Sequence, residues 1–94
     1  MALFVIYCKD KPGALDTRMA TRPTHLDYLN AAGVVKAAGP LLSDEGNPVG
    51  SMLIVEAEDR AAVQNFVDND PYTLAGIFES TEIQAWRVGV GSLG

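Results

Sequence analysis

Two segments of this 94-residue chain are apolar on both faces of a strand, and that pattern limits its folds more than any other feature. In Ala2-Leu-Phe-Val-Ile-Tyr-Cys8, alternation sends Leu3, Val5 and Tyr7 to one side and Phe4, Ile6 and Cys8 to the other. Val49 to Glu56 repeats this, with Met52 and Ile54 opposed to Leu53 and Val55. An antiparallel sheet with one wet face alternates apolar and polar residues instead. Both faces of this sheet therefore need a cover. The chain has helical patterns for only one of them, so the other is expected to meet a second copy in a homodimer packed sheet to sheet. Ile6→Asp and Ile54→Asp are the expected probes of that second face.

The punctuation between apolar runs sets the order of elements. Lys9-Asp10-Lys11-Pro12-Gly13 ends the first strand in a turn. From Ala14 to Ala32, Leu15, Met19, Leu26 and Leu29 recur at spacings near three, four and seven, which predicts a helix. Pro23 removes one ladder hydrogen bond and pushes Arg22 away from helical geometry, so a kink or restart is expected beside His25. Gly33 ends the helix. Val34 to Leu42 reads as the second strand, Ser43 to Pro48 as a turn and Val49 to Glu56 as the third strand, giving an antiparallel hairpin. Asp59 can cap a helix running through Asp68, with Ala62, Val63, Phe66 and Val67 inward. Asp70-Pro71-Tyr72 opens a short turn, and Ile77 to Val88 is the last strand. The order βαββαβ is that of a ferredoxin-like α+β sandwich, an antiparallel sheet with two helices on one face.

Residues 1–94 suffice for one domain. The net charge of -5, with no basic cluster beyond Arg18 and Arg22, argues against a nucleic-acid surface. No apolar run is long enough to span a membrane, and the first eight residues lack the features of a signal peptide, so a cytoplasmic, soluble protein is expected. Cys8 is the lone cysteine and reads as a small buried hydrophobe. With one histidine and one cysteine, no metal site is expected. There is no glycine-rich phosphate loop, nucleophile elbow or dinucleotide fingerprint, and no cofactor is expected.

His25 is the only histidine, so any histidine-mediated proton transfer near neutral pH runs through it. Arg18, Arg22, His25 and Leu29 fall on one helical stripe. That stripe is either a receptor for an anion with an acid/base group beside it, or a solvated cationic face. Asp70 before Pro71 is either a helix cap or the carboxylate that orients His25. The two roles are compatible, because a carboxylate has two oxygens. Tyr72 and Tyr28 offer hydroxyls to a ligand or pack as core aromatics, and Gly39-Pro40 shapes a pocket wall or merely bends the chain.

Three motifs in order carry a resemblance: Arg18…Arg22-Pro23-x-His25-Leu-x-x-Leu29, Ala38-Gly39-Pro40-Leu41, and Asp70-Pro71-Tyr72-x-x-Ala75-Gly76-Ile77. Together, and from Phe4-Val-Ile-Tyr7 to Trp86, the chain resembles the YciI-like (YCII-related) family of small bacterial proteins. The resemblance implies a ferredoxin-like fold dimerising through its sheets into a barrel-like assembly, and an active-site pair carried here onto His25 and Asp70. One member of that family is a dehydrochlorinase acting on a chlorinated hydroxyhydroquinone. By analogy, the resemblance implies cofactor-free lyase or isomerase chemistry on a small aromatic or enolisable substrate. The loop Ser43 to Pro48 is short beside its counterparts in relatives, which bears on substrate identity. The expected enzyme uses Asp70 to hold His25, His25 to move a proton, and Arg18 or Arg22 to attract an anionic or phenolate oxygen. Tyr72, Gly39 and Pro40 complete the expected substrate site. The alternatives are a non-catalytic dimeric small-molecule-binding or accessory protein, and a His25–Asp70 hydrogen bond that is only structural.

Overall fold

A computed structural model of the chain describes residues 1–93. The apolar N-terminal run forms β1 (Ala2–Asp10), followed by α1 (Leu15–Ala32), β2 (Val35–Leu42), β3 (Pro48–Ala57), α2 (Arg60–Asp68), the single turn α3 (Pro71–Leu74) and β4 (Phe78–Trp86). The strands make one sheet in the order β2-β3-β1-β4, and every neighbouring pair is antiparallel. This is the expected βαββαβ order with one extra turn of helix at Pro71. Among the described residues, no helix is long and apolar enough to cross a membrane.

Cross-strand register decides which apolar face goes where. Ile6 stands opposite Leu53 on β3 and Ile83 on β4, whereas Val5 stands opposite Ile54 and Gln84. Phe4, Ile6, Cys8, Leu53, Val55 and Ile83 therefore share a face, and they close on Leu29 of α1 and Val63 and Val67 of α2. Both long helices lie on that face. Gly50 lets β3 close on β1, because a Cβ at that position would collide with the Cys8 carbonyl oxygen. On the opposite face, Tyr7, Met52 and Trp86 remain about two-fifths exposed beside Val5 and Ile54. The expectation that Ile6 and Ile54 both probe the uncovered face is thus corrected. Ile6 belongs to the helix-covered core, and Ile54 alone reports on the other side.

Three local expectations change in the folded chain. α1 runs through Pro23 without a restart. The carbonyl that loses its partner is that of Met19, and both residues are exposed, so water can take the missing bond. The helix also turns its polar stripe inward, burying Arg18, His25 and Leu29 while Leu15, Met19 and Leu26 stay substantially exposed. In α2, Val63 and Val67 are buried and Phe66 partly so, but Ala62 is exposed. Asp59 does cap this helix, accepting from the Ala62 N–H at 2.9 Å, and Gly33 ends α1 at φ 72°. β4 is shorter at both ends than the Ile77 to Val88 expected for it.

Cys8 is buried as expected, and burial pushes its thiol pKa up to about 11 from 9.0. The folded state therefore holds the proton over a range where the unfolded chain has lost it. Stability carried by this thiol is full below pH 9 and is lost as pH rises towards 11. Cys8→Ala should flatten the alkaline decline, by up to about 2–3 kcal/mol between those limits, in denaturant titrations at stepped pH. Parallel curves for the two proteins would contradict this.

Candidate active site

The inward stripe of α1 carries His25 to the cap of α3. Asp70 precedes Pro71 in extended conformation, and its Oδ1 accepts the Tyr72 backbone N–H at 2.8 Å. The same Oδ1 lies 2.8 Å from His25 Nδ1. Asp70 therefore caps the turn and contacts the imidazole at once. It does so through one oxygen, not through the two oxygens expected from sequence. An ionised carboxylate only accepts, so in this contact Nδ1 donates, and the neutral imidazole has its lone pair on Nε2. Both side chains are more than nine-tenths buried.

The imidazole plane is fixed from a second direction. Its ring stacks on Tyr72 with centroids 3.7 Å apart and planes 7° from parallel. The Arg18 guanidinium lies 4.6 Å from the Tyr72 centroid. Burial pushes the Tyr72 hydroxyl pKa up, with Arg18 and Arg22 opposing it, so the phenol stays protonated.

Arg18 and Arg22 are one helical turn apart but differ in surroundings. Arg18 is 4% exposed, and its Nε and Nη2 donate to the two Asp10 oxygens at 2.7 and 3.2 Å. Nη2 also donates to Ser51 Oγ. The reading of this stripe as a solvated cationic face does not survive for Arg18 and His25. Arg22 is exposed and, among the described residues, has no ion-pair partner. It is the cation with its charge available.

These side chains meet at a cavity of about 340 Å³ between α1 and the sheet. α1 contributes Arg18, Arg22 and His25 to its wall, β2 contributes Gly39 and Pro40, and Tyr72 comes from α3. Every substrate-site residue expected from sequence lines it, with Asp70 directly behind His25. Sequence reasoning missed Asp10 and Ser51, together with the apolar lining by Met19, Leu26 and Leu53. Ser51 did leave a signal, because it stands in phase with inward-facing Leu53 and Val55 at a position where an apolar residue is expected. Tyr28 is not part of the site. Its hydroxyl donates to the Phe66 carbonyl at 2.7 Å, tying α1 to α2. Among the described residues, no three His, Cys, Asp or Glu side chains are grouped as metal ligands would be.

Comparison with known proteins is consistent with this geometry. The family described as YCII-related domain matches residues 2–87. Protein YciI of Escherichia coli O6:H1 is 34% identical over 94 residues, covering 90% of this chain and 96% of the relative. The 5-chloro-2-hydroxyhydroquinone dehydrochlorinase of Burkholderia phenoliruptrix AC1100, solved in complex with 2,5-dihydroxybenzoquinone, is 41% identical with a TM-score of 0.85. That alignment covers 93% of this chain and 95% of the dehydrochlorinase. An antibiotic biosynthesis monooxygenase structure, at 15% identity and TM-score 0.60 over 94% of this chain and 98% of its own, shares the fold alone.

Proposed function

This chain belongs to the YCII-related domain family, and from the geometry of its site we propose that it is an acid/base enzyme acting on a small polyhydroxylated aromatic ring. The observation that carries the reading is the His25 Nδ1–Asp70 Oδ1 contact at 2.8 Å, which leaves Nε2 as the basic nitrogen on a cavity-lining ring. A cavity of about 340 Å³ sits at the small end of the usual range for ligand sites. His25 Nε2 takes the proton of a ring hydroxyl, and Asp70 balances the imidazolium that forms. The new oxyanion lies against the unpaired Arg22 guanidinium. Electron density moving from that oxygen into the ring lets a ring carbon take up a proton. Where that carbon bears a halide, loss of a proton from a second hydroxyl conjugated with it through a ring double bond expels the halide as a new carbonyl forms. Proton shift and loss of hydrogen halide both proceed without an electron carrier.

The likeness to the dehydrochlorinase makes the direct test a simple one. Titration with 2,5-dihydroxybenzoquinone should saturate the site, and 5-chloro-2-hydroxyhydroquinone should release chloride above the protein-free rate. Binding without chloride release or proton exchange would assign the pocket to ligand capture alone. No binding would reject the ligand class.

We propose also that a second copy covers the free sheet face around Val5, Tyr7, Met52, Ile54 and Trp86. Light scattering should give about twice the 10.0 kDa chain mass, and Ile54→Asp should reduce it to one chain or unfold the protein. A wild-type monomer at micromolar concentration would rule this assembly out.

A further inference from the structure

We propose that the cavity continues past Leu26 along the gap between α1 and β2, and that this extension takes a short, unbranched, uncharged aliphatic substituent on the bound ring. The inference rests on the proposed function and names a substituent class for the same site. A second cavity of about 300 Å³ adjoins the first. The two share Leu26 and Leu29 of α1 and Ala38 of β2, and the second runs on to Asn30, Gly33 and Val35. Register explains why the gap exists. Ala38 stands opposite Leu53, so its methyl points to the helix-covered side of the sheet. Leu53 is buried there, yet Ala38 is exposed, because an alanine is too short to reach α1. Across the gap Leu26 is exposed as well. Two apolar surfaces thus face one another with water between them, and methylenes that displace that water are favoured.

The length and the far end of the gap define its occupant. From Leu26 to Asn30 is about one turn of helix, or about 6 Å, the span of about five extended carbon–carbon bonds. Asn30 and Gly33 mark the C-terminal end of α1, whose last turn has no basic side chain. Such a helix end carries partial negative charge, so a chain ending in a carboxylate is disfavoured there. The ring chemistry allows the attachment. In 2,5-dihydroxybenzoquinone four of the six ring carbons bear oxygen and the other two are equivalent, so one alkyl group at C3 displaces no oxygen from His25 or Arg22.

The experiment is absorbance titration of 2,5-dihydroxybenzoquinone and its 3-methyl, 3-propyl, 3-pentyl, 3-octyl and 3-(4-carboxybutyl) derivatives. Wild type, Asn30→Trp and Ala38→Leu are compared, with thermal melts confirming that each is folded. In wild type, affinity should rise about 2- to 3-fold per carbon, less than full burial gives because one side of the gap is open, and level off beyond pentyl. Pentyl should then exceed the parent quinone by about 30- to 200-fold, and the carboxylate chain should gain far less. Asn30→Trp fills the gap from the helix, since helical side chains lean towards the preceding turn, and Ala38→Leu fills it from the strand. In both variants the ratio of pentyl to parent affinity, read within each protein, should fall below about 5-fold. Wild-type affinity that stays flat or falls with chain length would overturn the extension while leaving the His25 reading intact. An undiminished ratio in both folded variants would overturn it too, because the chain would then lie elsewhere. Failure of the parent quinone to bind the wild type would overturn the functional reading, and this inference with it.

Discussion

His25→Gln is expected to lower turnover of 5-chloro-2-hydroxyhydroquinone by about 10² to 10⁴, the usual contribution of a positioned general base. Asp70→Asn should cost less, about 10- to 100-fold, and the reason lies in the shared oxygen. Because the Tyr72 N–H and His25 Nδ1 both meet Oδ1, an asparagine carbonyl at that point can serve both contacts. The cap and the orientation of the ring are kept, and what is lost is the negative charge facing the imidazolium. Melting should therefore stay within a few degrees of wild type while rate falls, separating charge from architecture. Asp70→Ser differs, since a serine still caps Tyr72 but is too short to reach His25. It should lose more rate than Asp70→Asn. Retention of wild-type turnover by Asp70→Asn would mean that the carboxylate serves the turn and not the chemistry.

Arg18→Met is expected to destabilise the protein by about 3–5 kcal/mol, the cost of leaving one member of a buried ion pair alone. The side chains of Arg18 and Asp10 are 4% and 6% exposed, so the stranded Asp10 carboxylate gains little from water. At about 4–8 °C per kcal/mol for a domain of this size, the melting temperature should drop by more than about 10 °C. The loss is a large part of the total stability of such a domain. Asp10→Leu combined with Arg18→Met should recover most of it, because an apolar pair of similar volume has no charge left to solvate. Circular dichroism melts of the two single variants and the double variant read this out. A single Arg18→Met variant melting with the wild type would remove the ion pair from the account of stability.

Much of the fold was legible in local pattern. Strand and helix periods, with breakers at Pro12-Gly13, Gly33, Gly46 and Pro71, determine the order βαββαβ, since each element is specified by neighbours a few residues away. The proton-transfer candidate was legible for a different reason, as a chain with one histidine allows only one. The same spacing placed Arg18, Arg22 and His25 on one stripe, and the folded helix keeps them there. Spacing identifies residues that share a face but carries no information on what that face meets. The sequence thus treats Arg18 and Arg22 alike, and only tertiary packing separates them. Arg18 is enclosed by Asp10, eight residues away, and Ser51, thirty-three residues away, while Arg22 reaches the open rim. Likewise, alternation showed that β1 has two apolar faces, but the register with β3 and the seating of Leu29, Val63 and Val67 decided that Ile6 packs under the helices while Ile54, itself buried, lies on the opposite face. The convergence of Tyr72 and His25 on one Asp70 oxygen spans forty-five residues of chain. Periodicity is a property of a few consecutive residues, whereas the partner of a buried charge is chosen by chain closure over long separations.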